Sequence, residues 1–80
     1  MTYIIDAQRA DEKEKAHEYL STLFGFPEYY GKNLDAFSDC FEDIVKSNDT
    51  VEIINFNADN VYFGKILDVI MENKTEVIYR

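Results

Sequence analysis

The stretch VEIINF, residues 51–56, is the most strand-like part of the chain. It is nearly continuous in apolar residues, which is typical of a central strand covered on both faces of a parallel sheet. The runs TYIID at 2–6 and TEVIYR at 75–80 are rich in β-branched and aromatic residues, so we expect two further strands there. Residues 51–56 are then predicted to lie between them.

A first helix is predicted between the first two strands. Its apolar residues fall at i, i+3, i+4, i+7 and i+8, which places them in one stripe. The stripe consists of Ala16, Tyr19, Leu20, Leu23 and Phe24. Asp11 with Glu14 resembles a capping pair at the start of this helix. Gly25 and Pro27 are expected to end it, because glycine suits the left-handed cap and proline cannot continue the hydrogen-bond ladder.

Two more helices follow from the same reasoning. Asn33 is a suitable N-cap for a second helix, whose end is set by the polar residues 46–50. Its apolar stripe consists of Leu34, Phe37, Phe41, Ile44 and Val45. A third helix is predicted from about Asp59 to Glu72. Its inward residues are Phe63, Ile66, Leu67 and Ile70.

The order strand, helix, helix, strand, helix, strand predicts an α/β fold. Helical crossovers join parallel neighbours, so we expect a three-stranded parallel sheet packed with three main helices. Residues 1–80 show no internal repeat, low-complexity tract or linker, which predicts a single domain.

Charge and cysteine content limit the function. The formal charge is −8 over 80 residues, which disfavours nucleic acid and anionic membranes and favours a basic partner. Cys40 is the only cysteine, so an internal disulfide and a cysteine-rich metal site are excluded. A cytoplasmic protein is expected, because neither a secretory signal nor a run of about 20 apolar residues is evident.

The stretch PEYYGKNLDAFSDC, residues 27–40, combines aromatic and acidic side chains. Tyr29 and Tyr30 lie in a short loop, and Asp35, Asp39 and Glu42 lie on one face of the second helix, opposite its apolar stripe. Large amphipathic rings beside charges are typical of binding surfaces. A solvated polar face is the simpler alternative for the acids, and one tyrosine could instead cap the core.

Catalytic and metal-binding interpretations are less favoured. Asp35 and Asp39 could form an acid and base pair or hold a divalent metal, but nothing indicates the pocket that such chemistry needs. His17 is expected to be a partly exposed helix residue, and Cys40 a small core residue. We therefore predict a binding protein with no cofactor, no metal and no catalytic residues.

The contiguous stretch 27–40 resembles the loop and second helix of the barstar family of ribonuclease inhibitors. LDVIME, residues 67–72, resembles the end of the last long helix of that family. The resemblance implies a barstar-like fold and one basic ribonuclease as the partner. In the family, the loop and second helix plug the nuclease active site with carboxylates at the positions of RNA phosphates.

Site residues follow from the resemblance. Asp39 would face the arginines and catalytic histidine of the enzyme, Asp35 would bind beside it, and Tyr29 would stack on the imidazole. Glu72 would add a charged contact at the rim. The loop backbone would be presented by Gly31 and Asn33.

Two departures from the family pattern bear on specificity. Ser38 stands where the family prototype has a tryptophan, and Glu42 adds an acidic residue to the contact face. The cognate nuclease is left open, as are an immunity module for another basic toxin or protein and, least favoured, a small carboxylate-dependent hydrolase.

Overall fold

The computed structural model describes residues 1–73 and 75–80. The elements in chain order are β1 (Thr2–Asp6), a 3-10 turn (Ala7–Ala10), α1 (Lys13–Phe24), α2 (Leu34–Ile44), β2 (Thr50–Ile54), α3 (Val61–Glu72) and β3 (Glu76–Tyr79). All strands are parallel in the order β1, β2, β3. The predicted α/β fold, with a three-stranded parallel sheet and three helices, is confirmed.

β2 is central, as predicted, but the described residues cover the sheet on one face only. Side chains alternate along a strand, and Val51 and Ile53 are buried beneath the helices. On the opposite face, Glu52 lies in register between Ile4 and Ile78, which are 51% and 38% exposed. The prediction that β2 is covered on both faces is wrong, because the three helices suffice to cover only one face of the sheet.

The helix starts follow their capping residues. The Asn33 side chain accepts a hydrogen bond from the Ala36 backbone N–H at 2.8 Å, as predicted for α2. α3 begins at Val61, two residues after the predicted Asp59, because the Asn60 side chain caps it through the Phe63 N–H at 3.1 Å.

The predicted capping pair at the start of α1 is wrong. α1 begins at Lys13, and Glu12 occupies the N-cap without a side-chain hydrogen bond. Asp11 instead forms an ion pair with Lys15 at 3.0 Å. Gly25 ends α1 in the left-handed conformation with φ 68°, as predicted.

The core lies between the covered face of the sheet and the helices. Its largest fully buried side chains are Phe37, Phe41, Phe63, Ile5, Leu20, Ile53, Ile66, Ile70, His17 and Val51. All four residues predicted to face inward from α3 are buried. Within residues 1–73 and 75–80, the helices are too short or too polar to span a bilayer.

Candidate functional site

The loop between α1 and α2 turns tightly and separates its two tyrosines. The Tyr30 N–H donates to the Pro27 carbonyl at 3.0 Å, which closes the turn. Tyr29 at its tip is 87% exposed, whereas Tyr30 is only 7% exposed. Tyr30 packs against Phe26, with ring centroids 4.8 Å apart. The alternative that one tyrosine caps the core therefore holds for Tyr30, and Tyr29 alone presents its ring to solvent.

A buried histidine holds Tyr30 in place. The hydroxyl of Tyr30 lies 2.5 Å from Nδ1 of His17 in α1, and the hydroxyl of Tyr62 in α3 lies 2.6 Å from Nε2. His17 is fully buried, so the prediction that it is partly exposed is wrong. Each nitrogen of the ring has a polar partner, as a buried imidazole requires. The loop is thereby fastened to two helices at once.

Burial determines the protonation of this cluster. Removal from water, followed by the nearby charge of Lys13, lowers the pKa of His17 below its ordinary value of 6.5. Burial likewise raises the pKa of Tyr30, with smaller contributions from Cys40 and Tyr62, and it raises the pKa of Tyr62. All three groups are therefore neutral near pH 7, and they hold one another by uncharged hydrogen bonds.

The last residues of the loop set the direction of α2. Lys32 adopts a left-handed backbone conformation with φ 53°, and Asn33 then extends into the N-cap. The Asn33 side chain also donates to the Gly31 carbonyl at 3.3 Å. A side chain at Gly31 would meet the Asn33 amide and Ala36 at 3.4 Å. The loop backbone at Gly31 and Asn33 is therefore fixed directly beside the first turn of α2.

Three predicted acidic residues lie on the solvent face of α2. Asp35, Asp39 and Glu42 are exposed, and Asp43 continues the acidic surface. Residues at i and i+4 on a helix are neighbours, roughly 5–6 Å apart at Cβ. None of these four residues takes part in an ion pair with another residue of the 1–73 and 75–80 ranges. We refer to Asp35, Asp39, Glu42 and Asp43 as the acidic face.

The start of the acidic face borders a shallow groove between α1, α2 and α3. The groove has a volume of about 330 Å³. Its lining consists of Lys13, Asn33, Leu34, Asp35, Tyr62 and Lys65. Tyr62 therefore has two contacts, one with the buried His17 and one with the groove beside Asp35.

The remaining predicted residues lie farther along the helices. Ser38 is partly exposed in α2. Glu72 is exposed at the last residue of α3, seven residues after the groove residue Lys65. At 1.5 Å per residue, Glu72 is about 10 Å beyond Lys65 along the helix axis. Asp35 therefore lies next to the groove, whereas Glu72 lies well away from the end of the groove that Lys65 lines.

Neither Cys40 nor the acids form a recognisable reactive centre. Cys40 is partly buried, and burial, then the charges of Asp43 and Asp39, raise the pKa of its thiol. In the described part of the chain, no cluster of three or more His, Cys, Asp or Glu side chains is arranged to hold a metal ion. What the site offers is a charged, aromatic contact surface.

A family model described as Barstar (barnase inhibitor) matches residues 1–76. The chain belongs to the barstar family. It is also 36% identical over 69 residues to "Putative ribonuclease inhibitor YrdF" of Bacillus subtilis (strain 168), an alignment that spans 86% of this chain and 76% of that protein. The family resemblance read from residues 27–40 is thereby confirmed, as is the prediction of an inhibitor rather than an enzyme.

Sequence reasoning missed the part played by His17 and Tyr62 in this member of the barstar family. A signal for His17 was present, since His17, Leu20 and Phe24 follow the spacing i, i+3, i+7 of a buried stripe. The contact with Tyr62 had no comparable signal, because the two residues are 45 positions apart in sequence.

Proposed function

We propose that this protein inhibits a barnase-type ribonuclease in the cytoplasm by inserting its α1–α2 loop and the acidic face into the nuclease active site. The carboxylates would take the positions of RNA phosphates, and the complex would contain one copy of each protein. The observation that carries the proposal is the arrangement of exposed Tyr29 on a fixed loop directly before an acidic face that has no ion pairs within the described residues.

Unpaired carboxylates suit this role on energetic grounds. An anion buried at an interface is favourable only when the partner supplies donors that replace its water. A phosphate-binding active site offers arginine, lysine and histidine for that purpose. Because Asp35 and Asp39 make no ion pair inside the described chain, neither has to break such a pair before it binds the nuclease.

Each site residue has a distinct role in the proposed complex. Asp39, in the middle of α2, would be the central anion, and Asp35 would bind beside it. Tyr29 would stack on the active-site imidazole. Gly31 and Asn33 would present the loop backbone.

The other predicted contacts act less directly. The burial of Tyr30 indicates that it positions the loop rather than touching the nuclease. Glu42 would add charge on the acidic face, and Ser38 would leave room for a bulkier group of the partner. Glu72 would contact only the rim, given its distance along α3.

The net charge of −8 supports rapid capture of a basic enzyme. Opposite charges attract over a distance comparable to the Debye length, about 8 Å at physiological salt, and this attraction raises the association rate. Fast association is what an inhibitor needs when its target destroys cellular RNA.

A second candidate is an immunity protein or antitoxin for a different basic toxin, using the same face. Ser38 and Glu42 favour it, because Ser38 stands where the family prototype has a tryptophan and Glu42 adds a charge to the binding helix. Such a partner would offer a cation to Glu42 and would need no large apolar contact at Ser38.

A titration of the purified protein into a barnase-type ribonuclease, read by cleavage of a quenched RNA reporter, tests the proposal. Inhibition is expected to saturate at one equivalent, to be lost in Asp39→Ala and to weaken in Asp35→Ala. Asp68→Ala is the matched control, since it removes an exposed carboxylate from α3 instead. Unchanged inhibition by both α2 variants would exclude this site, and no inhibition by the wild type would point to the second candidate.

A further inference from the structure

The outer edge of β3 is open within the described residues. β3 pairs with β2 on one side only. The Arg80 N–H donates to the Ile53 carbonyl at 2.9 Å, so Glu76, Ile78 and Arg80 direct their backbone groups towards β2. Backbone groups alternate in direction along a strand. Val77 and Tyr79 therefore direct their N–H and C=O groups away from the sheet.

This edge is also apolar. Two of the four residues of β3 are exposed apolar side chains. Ile78 is 38% exposed and Tyr79 is 51% exposed. An open edge with apolar side chains and free backbone groups is a template for another strand. β3 contains no proline or lysine that would discourage such pairing.

We propose that β3 pairs with β3 of a second copy of this chain, antiparallel, about a two-fold axis through Ile78. The segment EVIYR, residues 76–80, is self-complementary in this register. Glu76 would lie opposite Arg80 of the second copy, Val77 opposite its Tyr79, and Ile78 opposite its Ile78. A two-fold interface requires this reciprocity.

The backbone directions fit the same register. In an antiparallel ladder, pairs that exchange two hydrogen bonds alternate with pairs that exchange none. Val77 and Tyr79, whose backbone groups face outward, would form the two hydrogen-bonded pairs. Ile78, whose backbone groups already bond β2, would form the non-bonded pair at the axis, where opposing side chains approach most closely.

The charged residues of β3 and Arg80 are also compatible with the proposed register. On the open face of the sheet, Arg80 already contacts Glu52 through Nε at 3.0 Å and Nη2 at 2.8 Å. A guanidinium group has five N–H donors in a planar fork, so it retains donors for Glu76 of the second copy. From the described residues, Glu76 accepts one side-chain hydrogen bond, from the Thr50 hydroxyl at 2.9 Å. The ion pairs across the axis therefore add to the existing contacts without breaking them.

Sedimentation equilibrium over micromolar to millimolar protein, in enough salt to screen repulsion between two acidic chains, tests the proposal. The apparent mass should rise with concentration from 9.4 kDa towards twice that value. Arg80→Glu and Glu76→Arg each set like charges opposite one another and should abolish the rise. The double variant restores opposite charges and should restore association. Asp68→Arg, which changes the charge in α3 by the same amount as Glu76→Arg, is the control for that variant and should leave association intact.

Amide hydrogen exchange gives an independent readout of the register. The amides of Val77 and Tyr79 should become protected as concentration rises, whereas those of Ile78 and Arg80 are already bonded within the sheet. A monomer at all concentrations would overturn the proposal. So would a dimer that survives both single charge reversals, or one that leaves the Val77 and Tyr79 amides unprotected. None of these outcomes depends on ribonuclease inhibition.

Discussion

The Nε2 atom of His17 in α1 lies 2.6 Å from the hydroxyl oxygen of Tyr62 in α3. The Nδ1 atom of the same ring contacts Tyr30 of the α1–α2 loop. One buried imidazole therefore connects the candidate binding loop to two helices, and we expect this connection to couple the stability of the fold to the loop that carries Tyr29.

Removal of the Tyr62 hydroxyl tests this coupling. Tyr62→Phe leaves Nε2 of His17 without its partner in the core, so we expect a loss of about 1–3 kcal/mol in the free energy of unfolding, measured by urea denaturation. Tyr29→Phe is the matched control, because its hydroxyl is at an exposed tip. If both variants were equally stable, the buried hydrogen bond would contribute nothing.

Mild acid should destabilise the protein through His17. The pKa of His17 is lowered in the folded state by burial, so below about pH 6.5 the unfolded chain binds a proton that the folded chain resists. The contribution of neutral His17 to stability is therefore fully present above that pH and is lost as the pH falls towards its lower folded-state pKa. The aspartates with lowered pKa, Asp11 and Asp49, act only below their ordinary value of 3.8.

The measurement is the urea midpoint as a function of pH. His17→Gln has no titrating ring, so its stability should vary less with pH just below 6.5, whatever its absolute stability. Equal slopes for the variant and the wild type would contradict the assignment. At alkaline pH the sign reverses for Tyr30, whose raised pKa causes a loss of stability above its ordinary value of 10.0.

Two glycine substitutions should change stability in opposite directions. Gly25 has φ 68°, so Gly25→Ala forces a left-handed alanine and should cost about 1–2 kcal/mol. Gly64 lies within α3, and a Cβ added there would enter open space, so Gly64→Ala should stabilise by about 0.5–1 kcal/mol. Thermal denaturation of both variants tests the pair, and a stabilising Gly25→Ala would contradict the cap.

Position on the acidic face should decide how much each carboxylate contributes to nuclease binding. Asp39→Ala is expected to weaken binding by about 2–5 kcal/mol, mainly through faster dissociation, because the buried cations of the partner lose their anion. Asp43→Ala removes the same charge one turn later and should cost about 0–1 kcal/mol. Stopped-flow kinetics at several salt concentrations separate these effects, and equal losses would indicate a purely long-range role for Asp39.

Ser38 should control partner preference. Ser38→Trp adds an aromatic side chain beside Asp39 at a partly exposed position, so the fold should tolerate it. Affinity for barnase is expected to rise about tenfold, equivalent to about 1.4 kcal/mol. Ser38→Ala separates the loss of the hydroxyl from the gain of the ring, and it should change the affinity for barnase little. An unchanged affinity of Ser38→Trp would place Ser38 outside the contact.

The sequence by itself determined the elements and their order. Asn33, Gly25 and the apolar stripes act within a few residues of themselves, so local geometry sufficed to predict α2, the end of α1 and the inward face of α3. The short stretch 27–40 also sufficed to indicate the barstar family, because its residue types and spacing form one contiguous motif.

Only the tertiary structure decided which side chains are buried and which faces are open. Tyr29 and Tyr30 are chemically identical neighbours, but the hydroxyl of Tyr30 contacts His17 of α1, whose other ring nitrogen contacts Tyr62 of α3. Likewise, the pattern of VEIINF predicts a strand covered on both faces of the sheet, yet Glu52 lies on the uncovered face with Ile4 and Ile78. The burial of Tyr30 and the exposure of this face depend on residues that are distant in the chain, and the local patterns at these positions do not contain that information.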